Sequence, residues 1–209
     1  MTAADRDARR LELTEQAMKL IAERGAAVSK ADLAAEARIS RSRIDEIFPE
    51  EGDLFEAIAE NWFAPVIAIM EDVVASDLPI RRKFYEFFAR RFVRERQRYD
   101  EDPALFALYC ELGEANFELV RGYIDLADHY LTELIAQAQD EGFFAGLSIN
   151  RALTLINQMV ACYVSPQMML IISNRLAEDK LAVIVDTMFA GLSAEDRGAA
   201  PVAGLRSAS

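Results

Sequence analysis

Apolar residues recur along this chain at three- and four-residue spacing, and no segment carries a credible strand pattern. The spacing predicts an all-α protein of about nine helices. Leu13, Ala17, Leu20 and Ile21 make the first stripe, with Gly25 placed to end that helix in a left-handed conformation. Ser29 and Asp32 then form a capping box ahead of Leu33, Ala34 and Ala37. Arg38 and Ile39 make a turn, Ser40 is placed to cap the next helix, and Ile44, Ile47 and Phe48 line its inner side. Two helices this short bury no core alone, so they must sit on a third, which the preceding segment supplies. The unit reads as a helix-turn-helix with Arg41, Ser42 and Arg43 on its outer side.

Past Leu54 the pattern stays helical. One helix is predicted over about Gly52 to Ala75, carrying Phe55, Trp62, Phe63, Ile67 and Met70 and adjusted near Pro65. Pro79 opens another, striped by Ile80, Phe84, Phe87, Phe88 and Phe92. The charged run from Arg94 to Asp100 at its far end reads as a solvated face. Asp102-Pro103 begins a short helix through Leu105, Phe106, Leu108 and Tyr109. The most regular stripe follows, Val120, Ile124, Ala127, Leu131, Leu134, Ile135 and Ala138, closed by Gly142. The last two helices are expected over about Asn150 to Ile172, interrupted near Ser165-Pro166, and Ala177 to Gly191. This divides the chain into a helix-turn-helix domain over 1–50, a second helical domain over 51–192, and a disordered tail over 193–209.

The ordered segments RRLELTEQAMKLIAERG, DLAAEARIS and IFPEEGDLF, spanning about residues 9–55, are similar to the amino-terminal domain of the tetracycline-repressor (TetR) family. EGFFAGL and MFAGL further along are faint matches to its second domain. The resemblance implies a ligand-responsive regulator, a repressor, that binds palindromic operator DNA as a dimer. The helix from Ser40 to Ile47 would enter a major groove, and Ser29, Lys30, Arg38, Ser40, Arg41, Ser42, Arg43 and Asp45 would lie at the DNA. It also implies an effector cavity among the later helices, with the final two paired to their copies in a second subunit. Aromatic and sulfur side chains on several helices suit an apolar or amphipathic effector, with Phe63, Phe88, Phe92, Tyr109, Cys110, Phe117, Met159 and Tyr163 as its candidate lining. Leu155, Ile156, Leu181, Ile184, Val185 and Met188 are the candidate dimer residues.

Three positions depart from the family pattern. Arg38 stands where a glycine is usual in the turn, Asp45 where a tyrosine commonly touches phosphate, and Glu51, beside Glu50, where a phosphate-binding lysine is common. Either the operator contacts are rearranged or DNA binding is weakened or lost. The alternative is a helical sensor of the same kind acting through a protein partner or a small ligand.

Charge sharpens that choice. The formal net charge is −12, and residues 1–55 alone carry nine basic and twelve acidic side chains. Attraction to a polyanion must therefore come from local clustering of Arg9, Arg10, Lys30, Arg38, Arg41 and Arg43, since charge is screened over about 8–10 Å at ordinary salt. Enzyme chemistry finds no footing: His129 is the single histidine, and there is no glycine-rich phosphate loop and no Cys-x-x-Cys spacing. His129 reads as a surface or pocket-edge residue, and Cys110 as a buried, apolar-like cysteine. No cofactor or metal is expected. The longest mostly apolar stretch, Met159 to Ile172, is interrupted and falls short of a membrane span, so a cytoplasmic protein is expected.

Overall fold

In the computed structural model, which describes residues 3–194, the predicted stripes lie on α-helices. In chain order these are α1 (Ala3–Arg24), α2 (Lys30–Glu36), α3 (Arg41–Ile47), α4 (Asp53–Ala75) and α5 (Ile80–Glu101). They continue as α6 (Pro103–Ala115), α7 (Phe117–Asp140), α8 (Ile149–Val164), α9 (Pro166–Ile172) and α10 (Glu178–Leu192). A 3-10 turn spans Ser173–Arg175, and among the described residues the only β feature is an isolated bridge between Ala145 and Leu147. The fold is all-α. The expected tail beyond residue 194 lies outside the described residues.

Local chemistry sets the boundaries. Gly25 (φ 61°) and Gly142 (φ 88°) close α1 and α7 in the left-handed conformation that glycine adopts without steric cost. The Asp102 side chain accepts from the Leu105 amide and Pro103 opens α6, while Ser148 caps α8 through the Arg151 amide. The two prolines within helical stripes act differently. Pro65 lies inside α4, which runs through it as one helix. Pro166 divides its stripe in two, because Ser165 before it is held extended (φ −94°, ψ 116°), and α8 meets the next segment at a 52° bend. That division accounts for ten α-helices among the described residues where about nine were expected.

The chain forms two compact units, each assembled from two stretches. The first comprises the residues up to Ala68 together with Glu95–Asp125; the second comprises Ile69–Arg94 and the chain from Leu126 onward. In the first, Leu13, Ala17 and Ile21 of α1 meet Leu33 and Ala34 of α2, Ile44 and Ile47 of α3, Phe48, and Leu54, Ala57 and Ile58 of α4. Leu105, Leu108, Tyr109 and Leu112 of α6 pack against the same cluster. The charged end of α5 is not the solvated face its sequence suggested. Arg98, only 11% exposed, donates to the Trp62 carbonyl oxygen (2.5 Å), lies 3.9 Å over the Trp62 ring, and pairs with Glu95 (2.7 Å). The guanidinium caps an aromatic stack, since the Trp62 and Tyr109 rings sit 4.3 Å apart.

The second unit is built on rings. Phe84 of α5 meets Phe144 (5.8 Å) and Phe189 of α10 (5.0 Å), both Phe84 contacts edge-on, and Phe144 meets Phe189 at 4.8 Å. Beside them Lys83, itself buried, donates to the Val74 carbonyl and to Gln137 Oε1, which ties the ends of α4 and α7 to α5. No single helix among the described residues is long and apolar enough to cross a membrane. Phe84→Ala removes a fully buried ring from this cluster and should destabilise the protein by about 3–5 kcal/mol. Phe117→Ala, at a site 52% exposed, should stay within about 0.5 kcal/mol of wild type. Denaturant unfolding of the two variants measures both, and a Phe84→Ala loss below about 1 kcal/mol would show that the three rings do not hold this unit.

Candidate nucleic-acid interface

The turn between α2 and α3 is closed by backbone geometry. The Arg38 amide donates to the Ala35 carbonyl (3.3 Å) and the Ile39 amide to the Ala34 carbonyl (3.1 Å), the two bonds of a Schellman closure. Such a closure needs a left-handed residue, and Arg38 supplies it at φ 53°. An L-residue with a side chain carries a steric cost of about 1–2 kcal/mol there, which glycine would avoid. The turn thus keeps its ordinary geometry and accepts the strain.

At the other end of α2 the predicted capping box is complete. Ser29 Oγ accepts from the Asp32 amide (3.2 Å), Asp32 Oδ2 accepts from the Ser29 amide (3.0 Å), and the Ser29 hydroxyl also donates to that carboxylate. Arg24 adds a bond to Asp32 Oδ1 (2.8 Å). Ser40 behaves otherwise than expected: it occupies the N-cap of α3 but makes no side-chain cap, its hydroxyl lying 2.9 Å from that of Ser42.

Ile44 and Ile47 bury one side of α3, leaving Ser40, Arg41, Ser42 and Arg43 exposed and Asp45 half-buried. The cations expected at this surface, Arg38 excepted, are engaged. Arg41 Nε donates to both carboxylate oxygens of Asp45 (3.0 and 3.2 Å), and Arg41 Nη2 lies 3.6 Å from Glu51. Arg43 pairs with Glu46 (2.9 Å), Arg9 with Glu12 (2.5 Å) and Arg10 with Glu60 (2.6 Å). Lys30 departs most from its expected role as a phosphate contact. It is 2% exposed, and Nζ donates to the Phe48 carbonyl (2.5 Å) and reaches the Pro49 carbonyl (3.4 Å), with Asp45 at 3.6 Å and Glu51 at 4.0 Å. A lysine held this way is part of the scaffold. The spacing of Arg41–Asp45 and Arg43–Glu46 was readable as i,i+4 and i,i+3 pairing, but Lys30 reaching Phe48 was not, because the partner lies across a tertiary contact.

The eight residues expected to line an effector site fall in different units. Phe63, Tyr109, Cys110 and Phe117 belong to the first, and Phe88, Phe92, Met159 and Tyr163 to the second. In the first, Phe63 stacks on Tyr123 (4.5 Å) and Phe117 is exposed. Burial pushes the Tyr109 hydroxyl up to about 12 despite nearby Arg98. Cys110 is half-buried rather than buried; burial first, then Glu95, Glu114 and Glu111, push its thiol up to about 11, far from a reactive thiolate. In the second, Phe88 is buried, Phe92 meets Tyr163 edge-on (5.1 Å), and the Tyr163 hydroxyl donates to the Ala177 carbonyl (3.2 Å). His129 is exposed and pairs with Glu133 one turn on (3.0 Å). Of the six residues expected at a dimer interface, Ile156, Leu181, Val185 and Met188 are buried within the protomer, while Leu155 and Ile184 are half-buried. The exposed large apolar side chains on α8 and α10 are instead Met159 (43%) and Val183 (64%).

Residues 81–185, just over half of the chain, match the family model described as tetracyclin repressor-like, C-terminal domain. The chain belongs to the TetR family. It is thus a transcriptional regulator by family and not an enzyme. Its fold is similar to that of a TetR-family transcriptional regulator from Haemophilus influenzae, with a TM-score of 0.56 at 17% identity over 88% of this chain and 96% of that one. It is also similar to the fatty acid degradation regulator FadR from Bacillus halodurans (TM-score 0.56, 16% identity, 93% and 97% covered). A third similar fold is that of the TetR-family regulator PfmR from Thermus thermophilus (0.52, 16%, 86% and 98%). No curated protein matches the sequence.

The cap of α2 makes this helix-turn-helix unit sensitive to acid. Hydrogen bonds from the Ser29 side chain and amide, then from Arg24, lower the Asp32 carboxyl from 3.8 to about 2. A carboxyl depressed on folding stabilises the fold above its unfolded pKa, and that contribution is lost as pH falls through the folded value. The advantage of wild type over the Asp32→Asn variant should be constant above about pH 5 and should shrink between about pH 4 and 2. Denaturation midpoints of the two proteins across that range check it, and a difference independent of pH would show that the cap is not ionic.

Proposed function

We propose that the chain is a ligand-responsive repressor that binds a palindromic operator as a symmetric dimer, with α3 in the major groove of each half-site. The observation that carries this reading is the exposed row of Ser40, Arg41, Ser42 and Arg43 on a helix whose opposite side is locked into the α1–α4 core. Arg41 and Arg43 are the base readers. Each exchanges a carboxylate, Asp45 or Glu46, for a guanine edge, so binding is a change of partners rather than a simple gain. Such a regulator works beside its DNA in the cytoplasm.

Dimerisation is assigned to the outer sides of α8 and α10, which pack on each other within the protomer. Met159, Val183, Leu155 and Ile184 supply the apolar surface, and the buried Ile156, Leu181, Val185 and Met188 hold the helices that present it. The effector is apolar or amphipathic, taken up among aromatic side chains such as Phe88, Phe92 and Tyr163 of the second unit. Within the first unit, Leu105, Leu108, Tyr109 and Leu112 of α6 lie on the core that supports α3, so a shift of α6 would be felt by the DNA-binding head. A second reading, a sensor that acts through a protein partner without DNA, is favoured by the engagement of Arg41 and Arg43 with acids and by exposed Glu51.

Selection from a random duplex pool at low salt separates these readings. Wild type should recover an inverted repeat, and Asp45→Asn, by freeing Arg41 and removing a negative charge, should tighten binding to operator and non-operator DNA alike. Failure of the wild type to recover any preferred sequence would sink the operator reading in favour of the partner-binding one.

The dimer surface has its own test. Val183→Glu places two like charges across the symmetry axis while leaving the protomer core alone, so sedimentation should show a shift from dimer to monomer with at least a tenfold weaker association. An unchanged dimer would move the interface off α10.

A further inference from the structure

Two residues other than glycine hold positive φ among the described residues, Arg38 at 53° and Phe144 at 55°. For Phe144 the compensation is visible, because its ring is fully buried between Phe84 and Phe189. Arg38 has no such return. Its side chain is exposed, and the Schellman bonds of its turn are made by backbone alone and would form equally with glycine. A strained position that gains nothing from packing is where function is to be sought.

Charge supplies the independent observation. Within the cluster of cations expected to face DNA, Arg9, Arg10, Arg41 and Arg43 each pair with a carboxylate, and Lys30 is buried against the Phe48 carbonyl. Arg38 is the member of that cluster with no ion pair among the described residues. It can therefore meet a phosphate without giving up a partner. Its place also fits: it sits in the turn, two residues before the exposed row that begins at Ser40, and segments flanking a groove-reading helix face the sugar–phosphate backbone rather than base edges.

We infer that Arg38 is a phosphate anchor carried by the turn, taking the place of the contacts that buried Lys30 and acidic Glu51 do not offer. The inference rests on the operator-binding reading above. An anchor of this kind adds affinity for every sequence equally and contributes about 0.9 to the salt slope.

The test compares Arg38→Gly, Arg38→Asn and Arg38→Lys with wild type, using the selected operator and a scrambled duplex across a salt series, with denaturation midpoints in parallel. Glycine and asparagine both tolerate the left-handed backbone, so these variants should unfold at or above the wild-type midpoint. They should bind both duplexes more weakly by the same factor and lose about 0.9 of the salt slope, and Arg38→Lys should restore most of the slope. Several results would overturn the inference. Unchanged binding and slope in Arg38→Gly would remove Arg38 from the DNA while leaving the operator reading intact. A loss confined to the selected operator would make Arg38 a base reader, and a lowered midpoint in Arg38→Gly would give the side chain a structural role. A wild type that prefers no sequence and binds neither duplex at low salt would end both readings together.

Discussion

A seven-residue helix does not persist in water on its own, and the proposed DNA-reading head contains two of them, α2 and α3. Everything about this end of the molecule depends on how their termini are tied. Ser29 and Asp32 close the start of α2, the left-handed Arg38 closes its end, and the Lys30 ammonium bridges the start of α2 to the chain leaving α3 at Phe48. That last bond does more than one job. It supplies a donor to a carbonyl just past a helix C-terminus, where a cation also meets the negative end of the helix dipole. Its Cα–Cε stem fills space that a solvent-facing lysine would leave open. With the termini fixed, Ile44 and Ile47 can bury against α1, and the outer side of α3 acquires a definite direction.

The same tie shapes the electrostatics. A net charge of −12 suggests a poor partner for a polyanion, yet the distances that decide are local. At 3–4 Å an ion pair outweighs charges farther off than the roughly 8–10 Å screening length. Asp45 stands between Arg41 and Lys30, so it is the carboxylate of a small network rather than a bare negative charge on α3. Glu51 joins the network at longer range from a highly exposed position. The acids of this head therefore set how much the arginines must relinquish before they can contact anything else.

Much of this was legible along the chain. Helix starts at Ser29 and Asp102 and stops at Gly25 and Gly142 follow from side-chain oxygens and from the one residue that tolerates positive φ freely. Arg41–Asp45 follows from helical spacing. What escaped was contact between distant segments. Arg98 looks like one more member of a charged run until Trp62 is brought beneath it, and Lys30 looks like a surface cation until Phe48 folds back over it. Periodicity likewise marks the apolar side of α10 but not which part of it the protomer uses for itself: Leu181 and Met188, candidates for a dimer interface, are buried within the protomer. The family evidence also lay elsewhere than the motif. The quoted resemblance is carried by residues 9–55, and the matching family model covers 81–185, where stripes of Phe and Leu hold little that a single sequence can distinguish.

The make-up of the first unit constrains how an effector signal can act. α6 and the end of α5 are far from the helix-turn-helix in sequence, yet they belong to the same compact body, and four side chains of α6 rest on the core beneath α3. A close-packed contact of this kind does not deform smoothly; it shifts between discrete arrangements or stays as it is. Under the proposed ligand response, an effector acts by favouring one arrangement of α6 over another, and a ligand held equally well with both would leave the head unmoved however strong its affinity. Moving such an equilibrium from one part in a hundred to its reverse takes about a 10,000-fold difference in affinity, roughly 5.5 kcal/mol. The Arg98–Trp62–Tyr109 stack is within the same unit and joins α4, α5 and α6 through one aromatic column. Any shift of α6 must keep that column or break it, which makes the column a natural place for the two arrangements to differ.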